Sequence, residues 1–149
     1  MIPPEHELLL LDTNALIQII RQNAVGQRIQ ERLDLARRRE KPLISIVTVG
    51  EALALAHGFD WGTGKVTKLR ELLRNLVIVD VSQAGIVDRY AEITVHARAA
   101  GRTMGDNDRW IAATASVTRA WLVTTDRDFE SLEPIFIRQV FFDPKGTAP

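Results

Sequence analysis

The sequence predicts a single α/β domain built around a parallel β-sheet. Three observations indicate this class. Short apolar segments alternate with longer segments of helical periodicity, no repeat or composition break divides the chain, and 149 residues are enough to bury one core. We therefore predict one domain over residues 1–149, with loose termini at 1–7 and 144–149.

Five short apolar segments are predicted to be strands. Residues 8–11, 43–47, 76–81 and 121–124 are continuously apolar or rich in branched side chains, which is typical of strands buried on both faces. Residues 135–142 alternate less regularly, so we expect them to form the last strand, at an edge of the sheet.

The segments between these strands have helical periodicity. In one of them, Val49, Ala52, Leu53 and Ala56 fall on a single helical face. Strands joined through helices run parallel with right-handed crossovers. The predicted helices are 15–21, 24–39, 49–57, 65–75, 83–100 and 108–119.

The composition excludes several kinds of site. The chain has no cysteine, which rules out disulfides, thiolate zinc sites and a cysteine nucleophile. Basic and acidic residues number 19 each, so any binding of nucleic acid must come from a local patch. No apolar run approaches the ~20 residues of a membrane span, and the start lacks the basic head of a signal peptide. We expect a cytoplasmic protein that does not associate with membranes.

Four acidic residues lie where parallel strands are expected to end. Asp12 and Asp126 come just after apolar strands, Glu51 is predicted in the first turn of the helix after the second strand, and Asp108 begins a later helix. In open α/β sheets, the functional crevice lies at the carboxyl ends of the strands. We therefore expect these four side chains to line one crevice.

Each acid also has a purely structural interpretation. An aspartate can cap a helix or close an Asx turn, and a glutamate can complete a capping box three residues after a threonine. These roles suit Asp12, Glu51 with Thr48, Asp106 or Asp108, and Asp126 or Asp128.

The crevice interpretation predicts a metal site. Like charges brought together cost stability unless a cation neutralises them. Carboxylates without a histidine or cysteine set suit Mg²⁺ or Mn²⁺. Such a site is suited to phosphodiester hydrolysis, because the metal can activate water and stabilise the entering and leaving oxygens.

Four sequence blocks resemble those of PIN-domain proteins. They read LLLLDTNALI, TVGEALA, NDRWIAATA and LVTTDRDF, at residues 8–17, 48–54, 107–115 and 122–129. The size and layout are similar to VapC-type toxins of bacterial toxin–antitoxin pairs. The resemblance implies a five-stranded parallel sheet of order 3-2-1-4-5 flanked by helices. It also implies Mg²⁺- or Mn²⁺-dependent endoribonuclease activity that leaves a 5′-phosphate and a 3′-hydroxyl.

The resemblance assigns roles to individual residues. The motif places its third acid three residues before Ile111, which selects Asp108 over Asp106; Asp106 then caps the helix or contacts the metal shell through water. The four family acids fall on Asp12, Glu51, Asp108 and Asp126.

Three further residues belong to the same blocks. Thr124 matches the family threonine before the fourth acid, and Asp128 matches a further, variable acid. Asn14 stands close enough to Asp12 to orient a metal-bound water.

The substrate and partners are also expectations. Arg109 and Arg127 are candidate RNA phosphate contacts because they adjoin the acidic blocks. Family members usually act as homodimers held inactive by a small VapB-type antitoxin. We expect the antitoxin near helices 24–39 and 65–75, with Phe59 and Trp61 exposed; burial in the domain's own core is the alternative for both aromatics.

Two competing functions differ in what they require. An aspartate-dependent phosphatase needs a second aspartate two residues after the first, where this chain has Asn14. A PIN-like binding or scaffold module without nuclease activity would be expected to have lost some of the acids, which this chain retains.

Overall fold

The centre of the sheet is strand β1 (Leu9–Leu11), whose three leucines are buried. The computed structural model describes residues 2–145 of the chain. All strand pairs are parallel, and the order β3-β2-β1-β4-β5 confirms the predicted class and topology. The other strands are β2 (Leu43–Ser45), β3 (Val77–Val79), β4 (Trp121–Thr124) and β5 (Arg138–Phe141).

Helices cover both faces of this sheet. Leu9 and Leu11 of β1 join a hydrophobic cluster with the first four helices, whereas Leu10 joins a second cluster with the last two, as the alternation of side chains along a strand requires. Within residues 2–145 the helices are α1 (Thr13–Arg21), α2 (Ala24–Arg32), α3 (Ile46–Gly58), α4 (Thr63–Arg74), α5 (Ile86–Ala99), α6 (Asp106–Thr118) and a 3-10 helix (Arg127–Leu132).

Helix α2 is shorter than predicted. The periodicity suggested a helix to Arg39, but α2 ends at Arg32. Asp34 adopts a φ of 49°, in the left-handed region, and this conformation cannot continue a right-handed helix. The chain then forms hydrogen-bonded turns, with the Arg37 and Arg38 amides donating to the Asp34 carbonyl.

The junction between β2 and α3 also differs from the prediction. The strand was expected to reach Val47, but Ser45 caps the helix by accepting a hydrogen bond from the Val47 amide at 3.1 Å. The predicted capping box of Thr48 and Glu51 is therefore wrong. Because α3 begins at Ile46, Glu51 lies in its second turn rather than its first.

The two edge strands have different outcomes. We expected the third strand to be buried on both faces, but Val77 and Ile78 of β3 are exposed. At the opposite edge, β5 occupies the predicted position of the last strand. The segment after β3 becomes helical only at Ile86, because Gly85 has a φ of 94°.

The start of the chain is held against the domain. The Arg38 guanidinium donates to the carbonyls of Pro4 and Glu7, at 2.7 and 2.8 Å. The Glu7 carboxylate accepts from the Trp121 indole at 2.6 Å and pairs with Arg138 at 2.7 Å. These contacts hold Pro4 and Glu7 against the domain, while the loose termini at 1–7 and 144–149 stay a prediction. Met1 and residues 146–149 lie outside the described residues.

We expected a protein that does not associate with membranes, and the helices bear on this expectation. Over residues 2–145, no helix has both the length and the apolar character needed to cross a bilayer.

The left-handed Asp34 gives a test of why α2 stops. Asp34→Val should lower the free energy of unfolding by about 1–2 kcal/mol, because a branched side chain is strained at positive φ. Asp34→Gly should be neutral or slightly stabilising. Urea unfolding curves measure both, and equal stability of the two variants would contradict the assigned conformation.

Candidate metal centre

Asp12 lies at the carboxyl end of the central strand and is only 2% exposed. One carboxylate oxygen accepts a hydrogen bond from the Ala15 amide at 2.7 Å, so Asp12 caps α1 as its structural interpretation proposed. The other oxygen accepts from the hydroxyl of Thr124. Capping does not remove Asp12 from the crevice, because the same carboxylate lies close enough to Asp108 and Asp126 to be repelled by them.

Thr124 links the acids of two neighbouring strands. Its side chain is fully buried at the end of β4, where the hydroxyl donates to Asp12 and accepts from the Asp126 amide at 2.9 Å. Asp126 then caps the 3-10 helix by accepting from the Asp128 amide at 2.8 Å. The Asx turn proposed for Asp126 is therefore present, and it holds Asp126 and Asp128 at the edge of the sheet.

Three of the acids form the tightest group. A carboxylate oxygen from each of Asp108, Asp126 and Asp128 lies within 4.8 Å of the other two. Asp108 and Asp126 are partly buried and Asp128 is exposed, so the group lines an open crevice. Asp128, which the resemblance gave only as a further, variable acid, is thus one of the three members of this group.

Glu51 reaches the crevice from α3. One of its oxygens accepts from the Thr13 hydroxyl at 2.5 Å, and the other accepts from the Asn107 amide at 3.2 Å. The sequence reasoning did not select Thr13 or Asn107. Their positions in the sequence could have indicated them, since Thr13 directly follows Asp12 and Asn107 directly precedes Asp108.

The electrostatics of the crevice follow from burial and mutual repulsion. The pKa of Asp12 is raised to about 7, mainly by burial and in part by the charges of Asp108 and Asp126, against the hydrogen bonds from Thr124 and Ala15. Burial also raises the pKa of Asp108 to about 6, with added repulsion from Asp126, Glu51 and Asp128. None of the four ion pairs within residues 2–145 includes any of these acids.

Asp106 points away from this group. The first turn of α6 is preceded by Gly105, which makes no side-chain cap, so the capping role suggested for Asp106 or Asp108 is wrong. Asp106 instead pairs with Arg109 and accepts from the Tyr90 hydroxyl at 3.1 Å. A contact between Asp106 and a metal shell stays a prediction.

Arg109 is held between α5 and α6. Its guanidinium donates to Thr94 Oγ1 at 2.9 Å, pairs with Asp106 and lies 5.1 Å from the centroid of the Tyr90 ring. Trp110 stacks on the same ring, with centroids 3.9 Å apart. These contacts give Arg109 and Trp110 packing roles, and the phosphate role of Arg109 stays a prediction.

The remaining predicted residues lie on the surface. Arg127 is exposed, pairs with Glu130 and covers the Phe141 ring, while Asn14 is exposed on the first turn of α1. Neither predicted role is tested by these positions. Phe59 is 69% exposed, so the alternative of core burial is wrong for it, whereas Trp61 packs partly against the core.

The crevice fits a hard divalent cation. Its donors are carboxylate oxygens, which Mg²⁺ and Mn²⁺ prefer, and Asp108 is repelled by the charges of Asp126, Glu51 and Asp128. Two oxygens on one Mg²⁺ at about 2.1 Å can be at most about 4.2 Å apart. Asp108, Asp126 and Asp128 therefore need only small side-chain movements to share an ion.

The fold and this acidic edge define an α/β domain with a carboxylate crevice at the end of its central strands. The family model for the PIN domain matches residues 9–133. The chain therefore belongs to the PIN domain family, as its four sequence blocks indicated.

Solved structures share this fold at low sequence identity. VapBC2 from Rickettsia felis bound to a promoter DNA fragment is 24% identical, with 91% of this chain and 99% of that chain covered and a TM-score of 0.73. VapBC-1 from nontypeable Haemophilus influenzae is 21% identical, with 90% and 97% covered and a TM-score of 0.73. FitAcB from Neisseria gonorrhoeae is 23% identical, with 89% and 96% covered and a TM-score of 0.68. A comparison with curated protein sequences gives no match.

The raised pKa of Asp108 predicts how the metal-free protein responds to pH. An acid whose pKa is higher in the folded state loses folded-state stabilisation as pH rises from about 4, where the unfolded carboxyl ionises, to the folded value of about 6. Asp108→Asn should therefore raise the Tm of chelator-treated protein at pH 7.5 by roughly 2–4 °C, on the order of 1 kcal/mol.

Calorimetry at two pH values provides the control. The difference between Asp108→Asn and the wild type should shrink at pH 4. Asp88→Asn, which removes an exposed acid from the first turn of α5, should not raise the Tm at pH 7.5, because an acid at a helix N-terminus is stabilising. An equal destabilisation by Asp108→Asn at both pH values would contradict the raised pKa of Asp108.

Proposed function

We propose that this protein is a Mg²⁺- or Mn²⁺-dependent endoribonuclease, acting in the cytoplasm as the toxin of a VapBC-type pair. The observation that carries this proposal is the gathering of five carboxylates from four separate segments in one crevice, with no ion-pair partner for any of them within residues 2–145. An arrangement that repels itself favours a bound cation. Membership of the PIN domain family supports the same assignment.

The proposed roles of the acids differ with their depth in the crevice. In this proposal Asp108, Asp126 and Asp128 hold the cation at the open edge, and the buried Asp12 lies close to Asp108 and Asp126. When bound, the metal would supply an activated water and neutralise charge that develops on a phosphodiester. Glu51 supplies a further carboxylate on the α3 side, where it can orient that water or receive its proton.

Substrate charge is the reason for expecting metal before phosphate. Arg109 already donates a hydrogen bond to Thr94 on α5, and Arg127 is paired with Glu130. RNA phosphates would meet mainly carboxylates in a metal-free crevice, and like charges disfavour binding. Metal binding therefore has to precede, or accompany, binding of the scissile phosphate.

Cleavage assays test the activity directly. Purified protein should cleave single-stranded RNA with Mg²⁺ or Mn²⁺ and not with a chelator. Asp108→Asn and Asp12→Asn should reduce cleavage to background; asparagine is also a good N-cap, so Asp12→Asn keeps the start of α1. Asp88→Asn is the matched control and should cleave normally. Cleavage that continues with the chelator in both site variants would exclude the mechanism.

A groove beside α1, α2 and α4 supports the antitoxin proposal. Two adjoining cavities of about 450 and 300 Å³ share Ile19, Gln30, Leu72 and Asn75. The larger one has apolar walls and a rim of Arg38, Arg39 and Lys41. A groove of this kind suits an amphipathic segment with acidic residues at its margin. The solved VapBC structures with this fold support a VapB-type occupant.

A bulky side chain in the groove should prevent the antitoxin from binding there. Gln30→Trp places a bulky ring in the shared part of the two cavities, and Gln27→Trp makes the same change at an exposed site on α2 outside them. On co-expression with the small antitoxin that we expect to be encoded next to this gene, wild type and Gln27→Trp should co-elute with the partner in size-exclusion chromatography. Gln30→Trp should not. Normal co-elution of Gln30→Trp would place the partner elsewhere, and the elution volume of the toxin alone tests the expected homodimer.

A further inference from the structure

The carboxylate of Glu51 is held from two sides by neutral donors. Thr13 on α1 donates to one oxygen at 2.5 Å, and Asn107 on α6 donates to the other at 3.2 Å. Glu51 itself belongs to α3. Three helices therefore meet at one side chain, and both of its oxygens receive a hydrogen bond from a different element.

The Thr13 hydroxyl is itself oriented by a buried neighbour. Thr13 Oγ1 lies 3.1 Å from Thr48 Oγ1, and Thr48 is fully buried one turn before Glu51 on α3. A threonine hydroxyl has one hydrogen, and a carboxylate only accepts. Thr13 therefore gives its hydrogen to Glu51, which leaves Thr48 free to donate to the Thr13 oxygen.

Glu51 needs such support because, within residues 2–145, its carboxylate has no ion pair and no hydrogen-bond donor besides Thr13 and Asn107. A glutamate side chain loses considerable rotamer entropy when it is fixed. It is also repelled by Asp108, whose carboxylate is close enough for the two charges to interact. An unsupported Glu51 would move away from the crevice, and any cation would then have to draw it back at a cost in affinity.

The placement of the two donors couples Glu51 to the other acids. Thr13 directly follows Asp12, and Asn107 directly precedes Asp108. A movement of α1 or α6 that displaces either acid therefore also displaces a donor to Glu51. Glu51 is in this way held in a fixed position relative to Asp12 and Asp108.

We propose that Thr13 and Asn107 are positioning residues that hold the Glu51 carboxylate beside Asp108, so that the crevice binds a divalent cation without first ordering this side chain. The proposal rests on the metal-dependent function proposed above. It assigns no chemical step to either residue, because both act through Glu51.

Binding of Mn²⁺ alone tests the proposal without relying on activity. The electron paramagnetic resonance signal of free Mn²⁺ reports how much ion the protein binds. Thr13→Val, which removes the hydroxyl at nearly constant shape, should raise the Kd for Mn²⁺ about 10-fold or more, as loss of a group supporting a metal ligand commonly does. Asn107→Ala should weaken binding in the same direction.

Two variants separate positioning from general damage. Thr13→Ser keeps the hydroxyl and should restore a Kd close to that of the wild type. Thr67→Val makes the threonine-to-valine change at an exposed site on α4 and should bind Mn²⁺ normally. Urea unfolding should show that all of these variants remain folded, and Asn107→Ala keeps the test available if Thr13→Val does not fold.

A double-mutant cycle decides whether Thr13 acts through Glu51. In a Glu51→Ala background, Thr13→Val should cause no further loss of Mn²⁺ affinity. Additive losses, or unchanged binding by Thr13→Val in the wild-type background, would overturn the positioning role while metal-dependent cleavage stands. Failure of the wild type to bind Mn²⁺ and to cleave RNA would overturn the proposed function as well.

Discussion

The buried carboxylate of Asp12 is the constraint on which the rest of the crevice depends. It ends the central strand, begins α1 by capping it, and receives a hydrogen bond from Thr124 on the neighbouring strand. Because its oxygens are already bonded within the protein, Asp12 is fixed while Asp108 and Asp126 approach it from other elements. The site is therefore a property of the sheet topology, which brings β1 and β4 side by side, more than of any single loop.

Much of this could be predicted from the sequence because the patterns involved are regular. Buried strands alternating with helices predicted the parallel sheet, and acids at the strand ends predicted the crevice. The end of α2 could not be predicted from periodicity, since the residues after Arg32 keep an apolar spacing while Asp34 turns left-handed. The capping box at Thr48 failed for a similar reason: Ser45 supplied an earlier cap, and a local motif does not show which of two caps is used.

Residues that act through tertiary contacts were the hardest to predict. Arg109 was chosen for its place beside Asp108, but a helix turns about 100° per residue, so chain neighbours face different ways. One faces the crevice and the other faces Thr94 and Tyr90 on α5. Thr13 and Asn107 carry no charge, and although both lie in the family-like blocks, no role was assigned to them there. Their contacts arise only because α1, α3 and α6 converge on Glu51.

The repulsion among the crevice acids also affects which substitutions evolution would accept at these positions. A metal-free crevice that repels itself weakens the fold, so substitution of Asp108 by a neutral residue should remove a burden rather than add one. A lineage with no use for the crevice would drift towards neutral residues there. Selection for thermostability alone would favour the same substitutions, so a directed-evolution experiment on this protein would have to screen for the proposed cleavage in every round.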